Sequence, residues 1–319
     1  MLYRAKPYAT IAACFFGALF IFGLLSKARA GTDIDRTLVM RASAGVVQVE
    51  VTSVRGRTSL GSGVVVGPGK VVTSCHGTLF AQSLSIVAQG QRFAVRGQAP
   101  NIDADLCFLD VPGLSLPVPV RGGSQSIQPG DAVFAFGYAR GARSRPMFGD
   151  ILATHSYRNA LVLESTTEFS PGDSGGGLFN AAGELIGLIT YIRIDQSGVH
   201  RFSIPVEWID AELARGLRFL PIAPLGELRP FWAREEAHQP FFMRASQYQA
   251  TERWADLAAL AERWQESEPG LEQARSVLHL ARQKRRDAQM VLAALPAEPA
   301  AASGEFASRA AQGYLRSPR

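Results

Sequence analysis

The chain has 319 residues, 47% hydrophobic and 19% charged, which is long enough for a large core and more than one domain. Its formal net charge is +5, but residues 1–30 hold Arg4, Lys6, Lys27 and Arg29 and no acid, so without them 33 basic residues fall to 29 against 28 acidic ones. A body so nearly balanced gives no ground for a nucleic-acid or anionic-surface partner.

Residues 1–30 read as an export segment. Arg4 and Lys6 precede an apolar run from Tyr8 to Leu25, and Ala28-Arg29-Ala30 follows. These are the charged, apolar and cleavage regions of a secretory signal. The run is also nearly long enough to span a bilayer, and Lys27 and Arg29 lie just beyond it. Two outcomes stay open: cleavage after Ala30, or an uncleaved anchor that tethers the chain through residues 8–25. Either one exports the body.

Val46-Val47-Gln48-Val49-Glu50-Val51 alternates apolar and polar residues, the pattern of a half-buried strand. Short apolar segments follow at Val64–Val66, Leu84–Ala88, Phe93–Val95, Leu106–Val111, Ala132–Tyr138, Leu161–Glu164, Leu185–Ile194 and Phe202–Ile204. Glycine, proline and polar turns separate them, which predicts an all-β sandwich or barrel.

Three stretches beside these strands carry chemistry. Thr73-Ser74-Cys75-His76-Gly77 ends an apolar run. Asp103-Ala104-Asp105 opens another. Glu168–Leu178 sets Ser174 inside a run of glycines, Gly172-Asp173-Ser174-Gly175-Gly176-Gly177. Glycines allow a sharp turn and the approach of a substrate, and the amides of Gly172 and Ser174 can face an oxyanion. Taken alone, the stretch also reads as a glycine-rich hairpin turn. It matches the G-x-S-x-G elbow too, but there the acid and the histidine follow the serine, whereas here the order is His76, Asp105, Ser174.

On these residues the segment from about Val46 to Pro205, half the chain, resembles a trypsin-like serine protease, nearest the bacterial periplasmic Htr-type branch. Gly61-Ser62-Gly63-Val64-Val65-Val66 with Val71–His76 resembles the histidine block. Asp105-Leu106-Cys107-Phe108-Leu109 resembles the aspartate block. Ser170–Gly176 with Gly183-Glu184-Leu185-Ile186-Gly187 resembles the serine block. The resemblance implies a double six-stranded β-barrel with its crossover at Pro112–Pro129, a cleft between the barrels, polypeptide substrates, and neither cofactor nor metal.

The implied roles follow the chemistry. Ser174 is the nucleophile and needs a base. His76 takes its proton and returns it to the leaving amine. Asp105 holds the imidazole tautomer. Asp103 is the rival acid, since two residues apart on an extended strand both face one way. His155, His200, His238 and His279 lack such a context. Thr190, Tyr191 and Ile192 are expected to line the cleft and pair with the substrate backbone. Glu168, six residues before the nucleophile, either forms the base of the specificity pocket and selects Lys or Arg, or points to solvent. Cys75 and Cys107 neighbour His76 and Asp105, so contact within the triad brings them close enough for a disulfide in an oxidising compartment. Gly77, Gly177 and Asp173 depart from the Htr-type pattern, and no PDZ pattern follows the protease segment.

After a helix from Pro205 to about Leu217, residues 219–236 are Pro-rich and read as a linker, and residues 237–296 read as helical. Leu257, Leu260, Ala261 and Trp264, then Val277, Leu280, Ala281 and Lys284, keep a helical period broken at Pro269. Tyr248, Trp254, Ala258 and Pro269 in part resemble a tetratricopeptide repeat; the alternative is a helical hairpin packed on the barrels. Residues 297–319 are rich in Ala, Pro and Ser and expected to be disordered. The chain reads as a signal or anchor over 1–30, a serine endopeptidase over 31–218, and a small helical region that binds a protein partner. The alternative is a chaperone-like binding protein on the same fold with its cleavage silent.

Overall fold

The computed structural model describes residues 34–139 and 145–294, all within one structural unit. The segments expected to be a signal or anchor (1–30) and a disordered tail (297–319) lie outside the described residues. Among those residues no helix is long and apolar enough to cross a membrane.

Helix α1 (Arg36–Ser43) begins where the Asp35 carboxylate accepts the amide of Thr37, an N-cap that satisfies one of the free donors of the first turn. Seven strands follow: β1 (Val46–Ser53), β2 (Thr58–Gly67), β3 (Lys70–Ser74), β4 (Ala81–Ala88), β5 (Gln91–Ala94), β6 (Gly97–Asn101) and β7 (Leu106–Asp110), with the short helix α2 (Cys75–Thr78) between β3 and β4. They form one sheet in the order β5-β4-β1-β2-β3-β7-β6, antiparallel throughout. Alternation sorts its side chains to two faces. Val47, Val49, Val65, Val71, Ile86 and Leu109 fill one core. Val46, Val64, Val72, Leu106 and Phe108 fill another, shared with the second half of the molecule. This is why Val64–Val66 of β2 and Leu106–Leu109 of β7 read as unbroken apolar runs rather than as alternating strands.

The second lobe closes. Strands β8 (Ala132–Phe136), β9 (Met147–Tyr157), β10 (Ala160–Ser165), β11 (Gly177–Asn180), β12 (Leu185–Asp195) and β13 (Gly198–Pro205) form a barrel in the order β10-β13-β12-β11-β8-β9. The plan is the two-lobed trypsin-like one. It differs from the expected pair of six-stranded barrels in the first lobe, a seven-stranded sheet whose edge strand β6 pairs onward with Leu220. Gln98 and Leu220 exchange both backbone hydrogen bonds at 2.8 Å.

Helix α3 (Val206–Arg215) closes the second lobe. Residues 219–236, expected as a linker, run along the first lobe. The Gln98 side-chain amide donates to the carbonyl of Ala223 at 2.8 Å, the amide of Leu225 donates to Leu79, and that of Phe231 donates to Asp103. Helices α4 (Phe241–Ala250), α5 (Trp254–Ser267) and α6 (Glu272–Ala294) complete the described chain, and Pro269 lies in the break between α5 and α6. Phe242, Leu257, Leu260, Ala261, Trp264 and Ala281 are buried in the same core as Tyr191, Phe202 and Phe231 of the preceding body. The helices therefore have no separate core.

Candidate active site

Strand β3 delivers His76 at its end, on α2. Asp105 sits in the turn that precedes β7, at φ +60°, in the left-handed region that Asp tolerates better than most residues. The turn is closed by the Asp105 amide on the carbonyl of Ile102 at 3.0 Å. Cys75 and Cys107 are joined as a disulfide, with Cα atoms 4.8 Å apart, and the Cys75 amide donates to the Asp105 carbonyl at 3.3 Å. Asp105 is fully buried. Its Oδ1 accepts the backbone amide of His76 at 2.8 Å, and its Oδ2 lies 2.7 Å from His76 Nδ1. The Trp232 indole N–H also donates to Oδ2, at 3.1 Å.

Asp103 does not share that face, contrary to expectation. Residues 102–105 form a turn rather than a strand, so the period of two does not apply. Asp103 instead pairs with Arg158 and Arg234.

Gly172 and Gly175 have φ of +103° and +87°. A Cβ on Gly175 would stand 2.1 Å from the carbonyl oxygen of Ser62, so the serine loop can approach the first lobe this closely only with glycine there. Ser62 fastens the approach. Its amide donates to the Ser174 carbonyl at 3.0 Å, its hydroxyl donates to the Gly172 carbonyl at 2.8 Å, and it accepts the Tyr138 amide at 2.8 Å. The Asp173 carboxylate is buried. It accepts the amides of Ala139 and Ser170, each at 2.9 Å, and so braces its own loop. Gly177 lies against the Phe179 ring, 2.6 Å from where a Cβ would be, while Gly77 faces open space.

Ser174 Oγ donates to the carbonyl of Thr190 at 3.0 Å rather than to His76. Both side chains line one cavity of about 480 Å³, together with Gly172, Thr190, Tyr191, Ile192 and Trp232. Among the described residues no hydrogen bond uses the amides of Gly172 or Ser174. The Thr190 hydroxyl donates to Leu188 at 2.8 Å. Tyr191 is buried between Phe202 and Trp232, stacked at 4.6 Å and 5.0 Å, and burial holds the pKa of its unpartnered hydroxyl well above the ordinary tyrosine value. Glu168 is exposed and does not line the cavity.

Sequence reasoning missed Ser62 and Trp232. The Gly-Ser-Gly triplet around Ser62 was the available signal for the first. Nothing local marked the second, because its partner Asp105 lies far back in the chain.

Residues 61–188 match the family model of the trypsin-like peptidase domain. A putative serine protease HhoA of Synechocystis is 32% identical over 160 residues, 46% of this chain and 40% of its own length. A probable periplasmic serine endoprotease DegP-like of Pseudomonas savastanoi pv. phaseolicola is 29% identical over 162 residues, 48% of this chain and 34% of its own. The chain thus spans well under half of the curated relatives it matches. The solved structure of an HtrA-type protease AlgW with tripeptide superposes with a TM-score of 0.51 at 28% identity, over 56% of this chain and 61% of that one. The protease Rv3671c of M. tuberculosis, in its active form, superposes with a TM-score of 0.53 at 20% identity, over 60% and 92%, a likeness of fold.

Proposed function

We propose, from the match of residues 61–188 to the trypsin-like peptidase domain and the similarity to DegP-like and HtrA-type proteases, that this chain is an exported serine endopeptidase acting through Ser174, His76 and Asp105. The observation that carries the reading is the fully buried Asp105 carboxylate held 2.7 Å from His76 Nδ1, on one side of a cavity that Ser174 also lines.

The chemistry follows from that arrangement. Rotation of Ser174 about its Cα–Cβ bond exchanges the Thr190 carbonyl for His76 Nε2. His76 accepts the hydroxyl proton as Oγ attacks the peptide carbonyl, and Asp105 stabilises the imidazolium and its tautomer. The free amides of Gly172 and Ser174 donate to the oxyanion. His76 then protonates the leaving amine, and water hydrolyses the acyl-enzyme by the same route. The backbone of residues 190–192 borders the cavity and is suited to pairing with an extended polypeptide. The exposure of Glu168 supports its solvent-facing alternative rather than a Lys or Arg preference.

Export is supported by the apolar leader, by the similarity to a probable periplasmic endoprotease, and by a Cys75–Cys107 bond suited to an oxidising compartment. N-terminal sequencing of the chain recovered from cells distinguishes cleavage after Ala30 from a retained anchor. The second reading, a partner-binding protein with a silent site, draws on the resting Ser174 hydroxyl, which is bonded away from His76. A fluorophosphonate probe separates the two. Labelling of the full chain that disappears in Ser174→Ala and His76→Ala is the expected result; no labelling of folded wild type would sink the endopeptidase reading.

A further inference from the structure

We infer that Trp232, supplied by the segment that follows the second barrel, is a positioning residue for Asp105 and His76, so that residues 219–239 form part of the active site. The inference rests on the endopeptidase reading and deepens it.

A fully buried carboxylate must have its lone pairs engaged by donors. His76 supplies two contacts, its amide on Oδ1 and its ring Nδ1 beside Oδ2. Two hydroxyl side chains that line the same cavity as His76 serve other acceptors. Thr190 donates to Leu188, and Ser74 donates to Ile189 at 3.3 Å. Among the described residues the further donor on Oδ2 is the Trp232 indole N–H, 3.1 Å away. It engages the same oxygen that faces the imidazole, so it restrains the carboxylate where orientation governs the tautomer of His76.

The ring is held by two aromatic contacts. One face stacks on Tyr191 at 5.0 Å and 11°, and Tyr191 stacks in turn on Phe202. The ring meets His76 edge to face, with centroids 5.3 Å apart and planes at 87°. The backbone that carries it is fixed as well. The Phe231 amide donates to the Asp103 carbonyl at 3.0 Å, Arg234 pairs with the Asp103 carboxylate, and the Gln239 side-chain amide donates to the Arg234 carbonyl at 2.8 Å. Asp103 thus clamps the Trp232 segment to the turn that presents Asp105.

The test removes the N–H and keeps the ring. Benzothienylalanine at position 232 has sulfur in place of the indole nitrogen and nearly the same shape; Trp232→Phe is the simpler companion. Two readouts are taken on the full chain: the second-order rate of fluorophosphonate labelling, and the downfield proton resonance of His76 Nδ1–H. A rate about tenfold lower, as expected for loss of a hydrogen bond to a charged group, with a displaced resonance and an unchanged melting temperature, supports the assignment. An unchanged rate and resonance in the folded benzothienylalanine protein overturns it and leaves the triad reading intact. A wild type that is never labelled, but whose His76 resonance still moves in the variant, overturns the endopeptidase reading and supports the hydrogen bond. If Trp232→Phe misfolds, the near-isosteric variant decides alone.

Discussion

At the scale of single residues, the serine loop depends on a side chain with no reactive role. Ser62 joins the two lobes at Ser174, holding the Gly172 carbonyl with its hydroxyl and the Ser174 carbonyl with its amide. Replacing it by Ala keeps the amide contact and deletes the hydroxyl, leaving the Gly172 carbonyl and the Tyr138 amide without that partner. Ser62→Ala is expected to lower stability by about 1–2 kcal/mol and to slow probe labelling severalfold, because the Gly172 peptide, the proposed oxyanion donor, loses its tether. Urea denaturation and labelling kinetics on one preparation check both effects, and full-rate labelling in a destabilised protein would confine Ser62 to a structural role. Asp173 is explained on the same scale. Its carboxylate serves the amides of Ala139 and Ser170 within the domain, which accounts for its burial.

At the scale of elements, the disulfide ties the end of β3 to β7 across 32 residues. In the chain-entropy account, a loop of that length stabilises the folded state by about 3–4 kcal/mol. The double variant Cys75→Ser/Cys107→Ser should lose about that much in chemical denaturation, and reductant should then have no further effect on it. A loss below about 1 kcal/mol would mean that β3 and β7 hold their register unaided. The strands themselves were legible in the sequence, because alternation and apolar runs are local signals. His76, Asp105 and Ser174, the proposed triad, stand out by equally local signals, each at the end of a strand or in a glycine turn. Two features were not legible. The turn at residues 102–105 looks extended, because no glycine or proline marks it and the positive φ falls on Asp105. Residues 219–236 read as a linker because prolines suppress regular structure. Docking through Gln98–Leu220 and Phe231–Asp103 needs only isolated backbone contacts, which leave no period behind.

At the scale of the molecule, the helices and the second barrel are joined by a partly buried polar cluster. Glu164 on β10 stands between His155 Nε2 at 3.1 Å and His200 Nδ1 at 2.7 Å. Gln273 of α6 reaches His155 Nδ1 at 3.1 Å, and Arg193 of β12 donates to Ser246 of α4. Burial pushes the Glu164 pKa up, but hydrogen bonds from His155 and His200 outweigh it, and the net shift is below the ordinary value of 4.5. A depressed carboxylate pKa contributes stability that is fully present above 4.5 and is lost as pH falls through the folded-state value. The denaturation midpoint of the full chain should therefore drop below about pH 4.5. Glu164→Gln should start from a lower midpoint at neutral pH and lose less on acidification; parallel acid limbs in the two proteins would remove Glu164 from this role. The Trp232 contact has a further consequence, in time rather than in space. A chain synthesised from its N-terminus carries His76, Asp105 and Ser174 before residue 232 emerges, and N-terminal lobes fold first as they appear. Asp105 gains its indole donor only when the segment behind the second barrel arrives, so chain order itself delays full assembly of the site until the two lobes have been made.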